Sequence, residues 1–287
     1  MAKPSFLVVG HVTKDLLAGG GYTLGGGATF ASLTAARLRE RVALLTRAEP
    51  AVAAQLPALA LGIELLCLPS QQTTTFENIY TPAGREQRLL AVAEPIGPED
   101  VPEAWRAADR VLLAPVAGEL PGHVTGFSPD SLLCLALQGW LRRREPDGQV
   151  RSAPWLDAEA ALARADLVVL SEEDVKGSED LVTRFVRTAR LLALTRGARG
   201  ATLFHQGRSI PVAAFPAQEV DPTGAGDVFA AAFLSAYRRE TDPLPAARFA
   251  SCVASFVVER QGSAGVPTLA QVRQRLHAAA AVAEGDR

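Results

Sequence analysis

The 287-residue chain is 48% hydrophobic and 21% charged, a globular composition that excludes general disorder and supplies a sizeable core without staples. Its 29 Lys and Arg against 31 Asp and Glu leave a formal charge of −2, which disfavours a general nucleic-acid binder and favours small-molecule partners. Cys67, Cys134 and Cys252 are too far apart for a disulfide framework or a CxxC site, and no run approaches the ~18 apolar residues of a membrane span, so a soluble cytoplasmic protein is expected.

Residues 5 to 9 form an apolar run ending in Gly10, the pattern of a buried strand opening onto a loop. A Gly-rich irregular excursion over 11 to 27 follows. Phe30, Leu33, Ala35 and Leu38 then stand at helical spacing within 28 to 41. A strand at 42 to 46, a helix over 50 to 61 and a strand at 63 to 68 continue a βαβ alternation, which implies a mostly parallel sheet covered by helices. Residues 72 to 95 break it, with strand-like pieces around the turn Pro82-Ala83-Gly84. Together with 11 to 27 they are expected to form one small β lid.

Strands resume at 111 to 114, 132 to 137, 167 to 170 and 191 to 195, with 146 to 154 as loop. Residues 201 to 205 and 210 to 213 read as a hairpin at the sheet edge, and helices are expected over 225 to 238, 243 to 260 and 268 to 284. The fold class is α/β, in one domain over 1 to 287.

The most informative stretch is Asp221-Pro222-Thr223-Gly224-Ala225-Gly226-Asp227. Gly224, Ala225 and Gly226 precede an apolar helix and would present backbone N–H groups to an anion. A helix capped by Thr223 or Asp221 is the competing reading. A cap does not explain Asp227, whose carboxylate would repel a phosphate unless it takes the proton of a hydroxyl attacking that phosphate. His11, His123, His205 and His277 lack HxxxH or HExxH spacing, so no zinc site is expected, and only His11 falls near the N-terminal loop.

The stretch 221 to 227 resembles the signature of the ribokinase-like, or PfkB, carbohydrate kinases, and the other landmarks of that family follow in order from Val8 to about Leu276. The resemblance implies a three-layer αβα fold with a mostly parallel central sheet and a small β lid. It also implies ATP-dependent phosphoryl transfer with Mg²⁺, Asp227 as base, and the Gly224-Ala225-Gly226 backbone as anion hole. Asp15 falls where the family grips acceptor hydroxyls, with Gly26, Gly27 and His11 beside it. Phe30 stands where the family often has Asn, which removes a hydroxyl ligand and offers an apolar face. Thr195, Gly197, Gly200, Thr223, Ala254 and Val258 fall on the nucleotide side. Ser171-Glu172-Glu173-Asp174 matches a metal-placing motif in shortened form, which puts Glu173 and Asp174 near the metal.

Gln138-Gly139-Trp140-Leu141-Arg142 and Thr73-Thr74-Thr75-Phe76 look most like the branch that includes plant myo-inositol kinases, which implies a sugar, polyol or cyclitol acceptor. The alternatives are a nucleoside or aminopyrimidine-alcohol kinase, with Phe30 stacked on a ring, and a non-catalytic sensor that kept the fold. Monomer and homodimer are both compatible with the sequence.

Overall fold

The structure, a computed structural model, describes every residue except 61, 82–83, 123–125, 179 and 286–287, so the Pro82-Ala83 turn and His123 lie outside the described residues. Strands β1 (Phe6–Val9), β2 (Thr13–Leu16) and β3 (Tyr22–Gly25) lead into helix α1 (Gly27–Arg37). Next come β4 (Val42–Ala48), the one-turn helices α2 (Pro50–Ala53) and α3 (Leu56–Leu59), β5 (Glu64–Pro69), β6 (Thr75–Thr81) and β7 (Gly84–Ala91). The middle of the chain contains α4 (Glu103–Arg106), β8 (Arg110–Leu113), β9 (Leu132–Ala136), β10 (Arg142–Arg144), β11 (Val150–Ser152), α5 (Glu159–Arg164) and β12 (Leu167–Ser171). It closes with α6 (Asp180–Thr188), β13 (Leu191–Thr195), β14 (Ala201–His205), β15 (Arg208–Val212), α7 (Ala225–Ala236), α8 (Pro243–Val257) and α9 (Leu269–Gly285).

Among the described residues, nine strands form one sheet in the order β15-β14-β13-β12-β9-β8-β1-β4-β5. All its pairings are parallel except those of the edge hairpin β14–β15. Strands buried on both faces need apolar residues at nearly every position, hence the runs Phe6-Leu7-Val8-Val9 and Val111-Leu112-Leu113. Phe6, Val8, Leu112 and Cys134 pack on one face with Phe30, Phe229, Phe233 and Val253 of α1, α7 and α8. Leu7, Val9, Leu113 and Leu135 pack on the other with Trp105, Leu162 and Phe185 of α4 to α6. Three layers result.

The excursion at 11 to 27 is more regular than its glycines imply. β2 pairs antiparallel with β3 and parallel with β6, and β6 pairs with β7, so the two distant segments share one four-stranded sheet. Residues 146 to 154, expected as loop, contain β11, which pairs antiparallel with β10 just before them, and the arginines of both hide the strand pattern. The single helix expected over 50 to 61 is two short turns. Helix α1 stops at Arg37 rather than 41, and Arg39 takes a left-handed φ of 72° just beyond.

At the amino end of β12, Asp166 is buried and accepts from the Leu133 N–H at 2.9 Å. It is ion-paired with Arg239 at 2.8 Å, Arg190 at 3.4 Å and Arg164 at 3.8 Å. The opposite, carboxyl ends of the parallel strands are where ligands bind in open α/β sheets. There the start of α1 lies against the start of α7.

Candidate active site

Helix α7 starts without a side-chain cap. Asp221 instead shapes the turn before it, accepting from the Thr223 N–H through one oxygen and the Gly262 N–H through the other, both at 3.0 Å. Gly224 takes a left-handed φ of 80°, and a side chain there would collide with the ring of Phe30. Of the amides expected to face an anion, that of Ala225 is committed to the Pro222 carbonyl at 3.2 Å. Gly226 is exposed, with open space where its Cβ would stand, so a ligand can approach the helix end there.

Asp227 projects from this first turn toward the start of α1, where a Cβ on Gly27 would lie 2.7 Å from its Oδ1. Gly26, at φ 88°, forms the uncapped start of α1, so two helix N-termini converge on one carboxylate. Burial nevertheless pushes the Asp227 carboxyl up to about 7, with Arg142 opposing the rise and Asp174 adding to it. A carboxylate titrating near neutrality can accept a proton and release it again.

On the acceptor side, Asp15 lies on β2 against Gly25, and the Thr13 hydroxyl donates to its Oδ1 at 2.8 Å. His11 is fully buried, its Nδ1 2.7 Å from the Thr74 hydroxyl and its Nε2 3.0 Å from the Glu94 carbonyl. Burial lowers its pKa. With both ring nitrogens engaged inside the protein, the expected contact to a substrate hydroxyl gives way to a structural tie between the first loop and the small sheet. Phe30 is 2% exposed and lies in the core beneath Gly224, so the expected apolar pocket wall is instead the support of the α7 turn.

Glu119 escaped the sequence reading. It is buried and accepts from the backbone N–H groups of His11 and Val116 at 3.0 Å and Ala117 at 2.8 Å, pinning the loops after β1 and β8 together. A single acid in a Gly-Glu-Leu-Pro loop carries no pattern that announces this.

On the donor side, the Thr195 hydroxyl donates to the Leu170 carbonyl at 3.3 Å, and Gly197 faces open space. A side chain at Gly200 would strike the Val212 carbonyl, so this glycine serves the entry to β14 rather than a nucleotide. Ala254 and Val258 are partly buried beside the Asp221 turn, the Val258 carbonyl accepting from Val220 at 2.7 Å and Asp221 at 3.1 Å. Thr223 is also partly exposed.

Asp174 accepts from the Ser171 N–H at 2.9 Å and lies 4.0 Å from the Arg142 guanidinium, while Glu173 next to it is exposed. Among the described residues no three His, Cys, Asp or Glu side chains gather as a metal cage. Two adjacent carboxylates still fit Mg²⁺, which takes most of its ligands from water and phosphate. Both carboxylates line a cavity of about 600 Å³ together with Arg88, Arg142, Arg151 and Lys176. In the sequence Arg142 stands only as the last residue of the Gln138 to Arg142 stretch, with no site role attached to it.

Residues 156–269 match the model of the pfkB family carbohydrate kinases. The chain is 32% identical over 259 residues to the inositol 3-kinase of Zea mays, a match that covers 79% of this chain and 65% of that protein. It is 45% identical over 69 residues to a nucleoside kinase of Methanothermobacter thermautotrophicus, covering 24% of this chain and 22% of that one. A pyrophosphate-dependent kinase in the ribokinase family, solved with a pyrophosphate analogue and myo-inositol, superposes with a TM-score of 0.76 at 23% identity, over 94% of this chain and 99% of that one. The chain thus has the ribokinase-like fold and spans just under two thirds of the length of the Zea mays relative. Among the described residues no helix is long and apolar enough to cross a membrane.

Proposed function

We propose that the chain, whose residues 156–269 match the model of the pfkB family carbohydrate kinases, transfers the terminal phosphoryl group of ATP to a hydroxyl of a small polyol or cyclitol, with myo-inositol the leading acceptor. The observation that carries this reading is Asp227, a carboxylate held near a pKa of about 7 where the uncapped starts of α1 and α7 converge. Asp227 takes the hydroxyl proton as the oxygen attacks phosphorus. The exposed turn at Gly226 and the positive end of α7 favour the charge that develops on the phosphoryl oxygens. Asp15, on the β2 edge, orients the acceptor, since a carboxylate accepts from two hydroxyls at once. The four-stranded sheet covers the acceptor as a lid, which suppresses hydrolysis of the donor. Asp174 and Glu173 would hold Mg²⁺ with the donor phosphates, and the ion would neutralise charge between those phosphates.

A nucleoside acceptor is the second reading, supported by the local match to a nucleoside kinase. Burial of Phe30 removes its proposed stacking partner for a base. An intact Asp227 and an open Gly226 argue against a sensor without turnover. The test is a product-detected screen of myo-inositol, other cyclitols, hexoses, pentoses and nucleosides, with ATP and with pyrophosphate as donors. Phosphorylated cyclitol formed by the parent and lost in Asp227→Asn supports the reading; nucleoside monophosphate as the main product, or no product from any pair, overturns it.

A further inference from the structure

Among the described residues, the chain crosses between the central sheet side and the four-stranded sheet at four places: residues 10–12 before β2, Gly26 after β3, residues 70–74 before β6 and residues 92–96 after β7. His11 stands in the first crossing and reaches the other three. Its Nδ1 lies 2.7 Å from the Thr74 hydroxyl and its Nε2 3.0 Å from the Glu94 carbonyl. Its own carbonyl would lie 2.6 Å from a Cβ on Gly26, so only glycine lets the second crossing pass this close. The residue is itself fastened to the core. The His11 N–H donates to buried Glu119 at 3.0 Å, and the Val12 N–H donates to the Thr46 hydroxyl of β4 at 2.9 Å. An imidazole rooted in the central sheet thus holds the roots of the small one.

The polar atoms at this junction have one consistent assignment. A carbonyl only accepts, so the hydrogen of the neutral ring is on Nε2 and faces Glu94, and Nδ1 accepts from the Thr74 hydroxyl. The Thr74 Oγ1 is left to accept from the Ala93 N–H, which it does at 3.0 Å, and the Thr74 carbonyl accepts from the Lys14 N–H of β2 at 2.9 Å. Burial lowers the His11 pKa against the pull of Glu119, which favours this neutral ring. His11 and Thr74 are fully buried, so a bond broken here has no water to replace it. Tilting the small sheet against the central one stretches both imidazole bonds. Asp15 rides on β2 four residues after His11, while Asp227 belongs to α7 on the core, so the angle between the sheets sets how far apart the two carboxylates stand. We propose that His11 is a positioning residue that locks this angle, keeping an acceptor held by Asp15 within reach of Asp227 and the cover shut against water. This inference rests on the kinase reading. His11 acts through the sheet that carries Asp15 and not by contact with the reacting atoms.

The test compares three variants with the parent. Thr74→Val keeps the shape but takes the hydroxyl from Nδ1 and from the Ala93 N–H, Thr74→Ser returns it, and His11→Gln keeps an amide N–H for the Glu94 carbonyl while losing the bond to Thr74. Amide hydrogen exchange without substrate should quicken roughly tenfold in β2, β6 and β7 of Thr74→Val, with β1, β8 and β9 unchanged, since a buried group left unpaired costs about that factor. In turnover with the acceptor that the product screen identifies, kcat/KM for that acceptor should fall roughly tenfold at an unchanged donor KM, and donor hydrolysed per acceptor phosphorylated should rise. Loss of folded chain alone moves neither the KM nor that ratio. Thr74→Ser should restore both readouts, and the double variant His11→Gln/Thr74→Val should lose no more than the worse single, because both remove one bond. If Thr74→Val does not fold, His11→Gln carries the same comparison. Unchanged exchange of the small sheet, or losses that add in the double variant, overturns the proposal. Quickened exchange with turnover and hydrolysis ratio at parental values sinks the positioning role and leaves the kinase standing. A parent that phosphorylates no acceptor, while exchange of its small sheet still depends on Thr74 and His11, supports the lock and sinks the kinase.

Discussion

Two aspartates at opposite ends of the central sheet, Asp166 buried and Asp227 partly buried, have opposite surroundings. Asp166, at the amino end of β12, is met by three arginines and a backbone N–H. Asp227, at the carboxyl ends, has Arg142 opposed by Asp174, and burial leaves it titrating at about 7. A carboxylate with matched partners fastens segments distant in sequence; one whose partners oppose each other is held ready to exchange a proton. The difference arises in what each neighbourhood supplies, since both side chains are the same.

The comparison breaks most visibly in activity. Asp227→Asn is expected to fold, bind donor and lose about 10²–10⁴-fold in kcat, the scale of a general base. Its thermal stability should change in the favourable direction. Between the ordinary carboxylate value of 3.8 and about 7 the folded chain keeps a proton that the unfolded chain has lost, so this group's contribution to stability declines as pH rises through that window. Asparagine removes that decline, and melting at pH 8 should show the variant above the parent. A variant that melts below the parent at pH 8 would contradict an unmatched Asp227.

Asp166→Ala should do the reverse, costing about 1–3 kcal/mol chiefly by leaving the buried Leu133 N–H without its acceptor, with kcat of the folded fraction near the parental value. Denaturant titration and active-site-normalised kinetics separate the two quantities. A smaller effect tests the turn itself. Gly224→Ala is expected to cost about 1–2 kcal/mol from its left-handed backbone, with a further loss from collision with Phe30. Gly226→Val, with open space around it, should melt close to the parent while turnover falls, because the branch obstructs the ligand's approach. Equal melting of both variants would show that position 224 is not under the constraint argued here.

The smallest effect is on pH dependence. kcat/KM should rise with pH through about 7 as Asp227 ionises. Asp174→Asn removes a like charge and should move that limb to lower pH, while Arg142→Ala should move it higher. Profiles for the three chains check the signs, and a limb that stays fixed in both variants would disconnect these side chains from the base.

The sequence by itself determined whatever depends on near neighbours along the chain. Apolar runs with turn residues between them marked the parallel strands, and the Asp221 to Asp227 spacing marked the α7 start, since a turn and the helix it opens are local. It also marked two strand-forming segments for one small sheet, though Gly19, Gly20 and Gly21 concealed how regular the first segment is. Tertiary structure decided what each candidate side chain faces. Phe30 passes under Gly224, nearly two hundred positions later, and so belongs to the core. His11 finds Thr74 and Glu94 and becomes a tie. Glu119 gathers amides from two loops, and Arg142 comes to line one cavity with Asp174. Burial and electrostatic partnership are set by elements brought together through the sheet, and residue spacing carries no record of them.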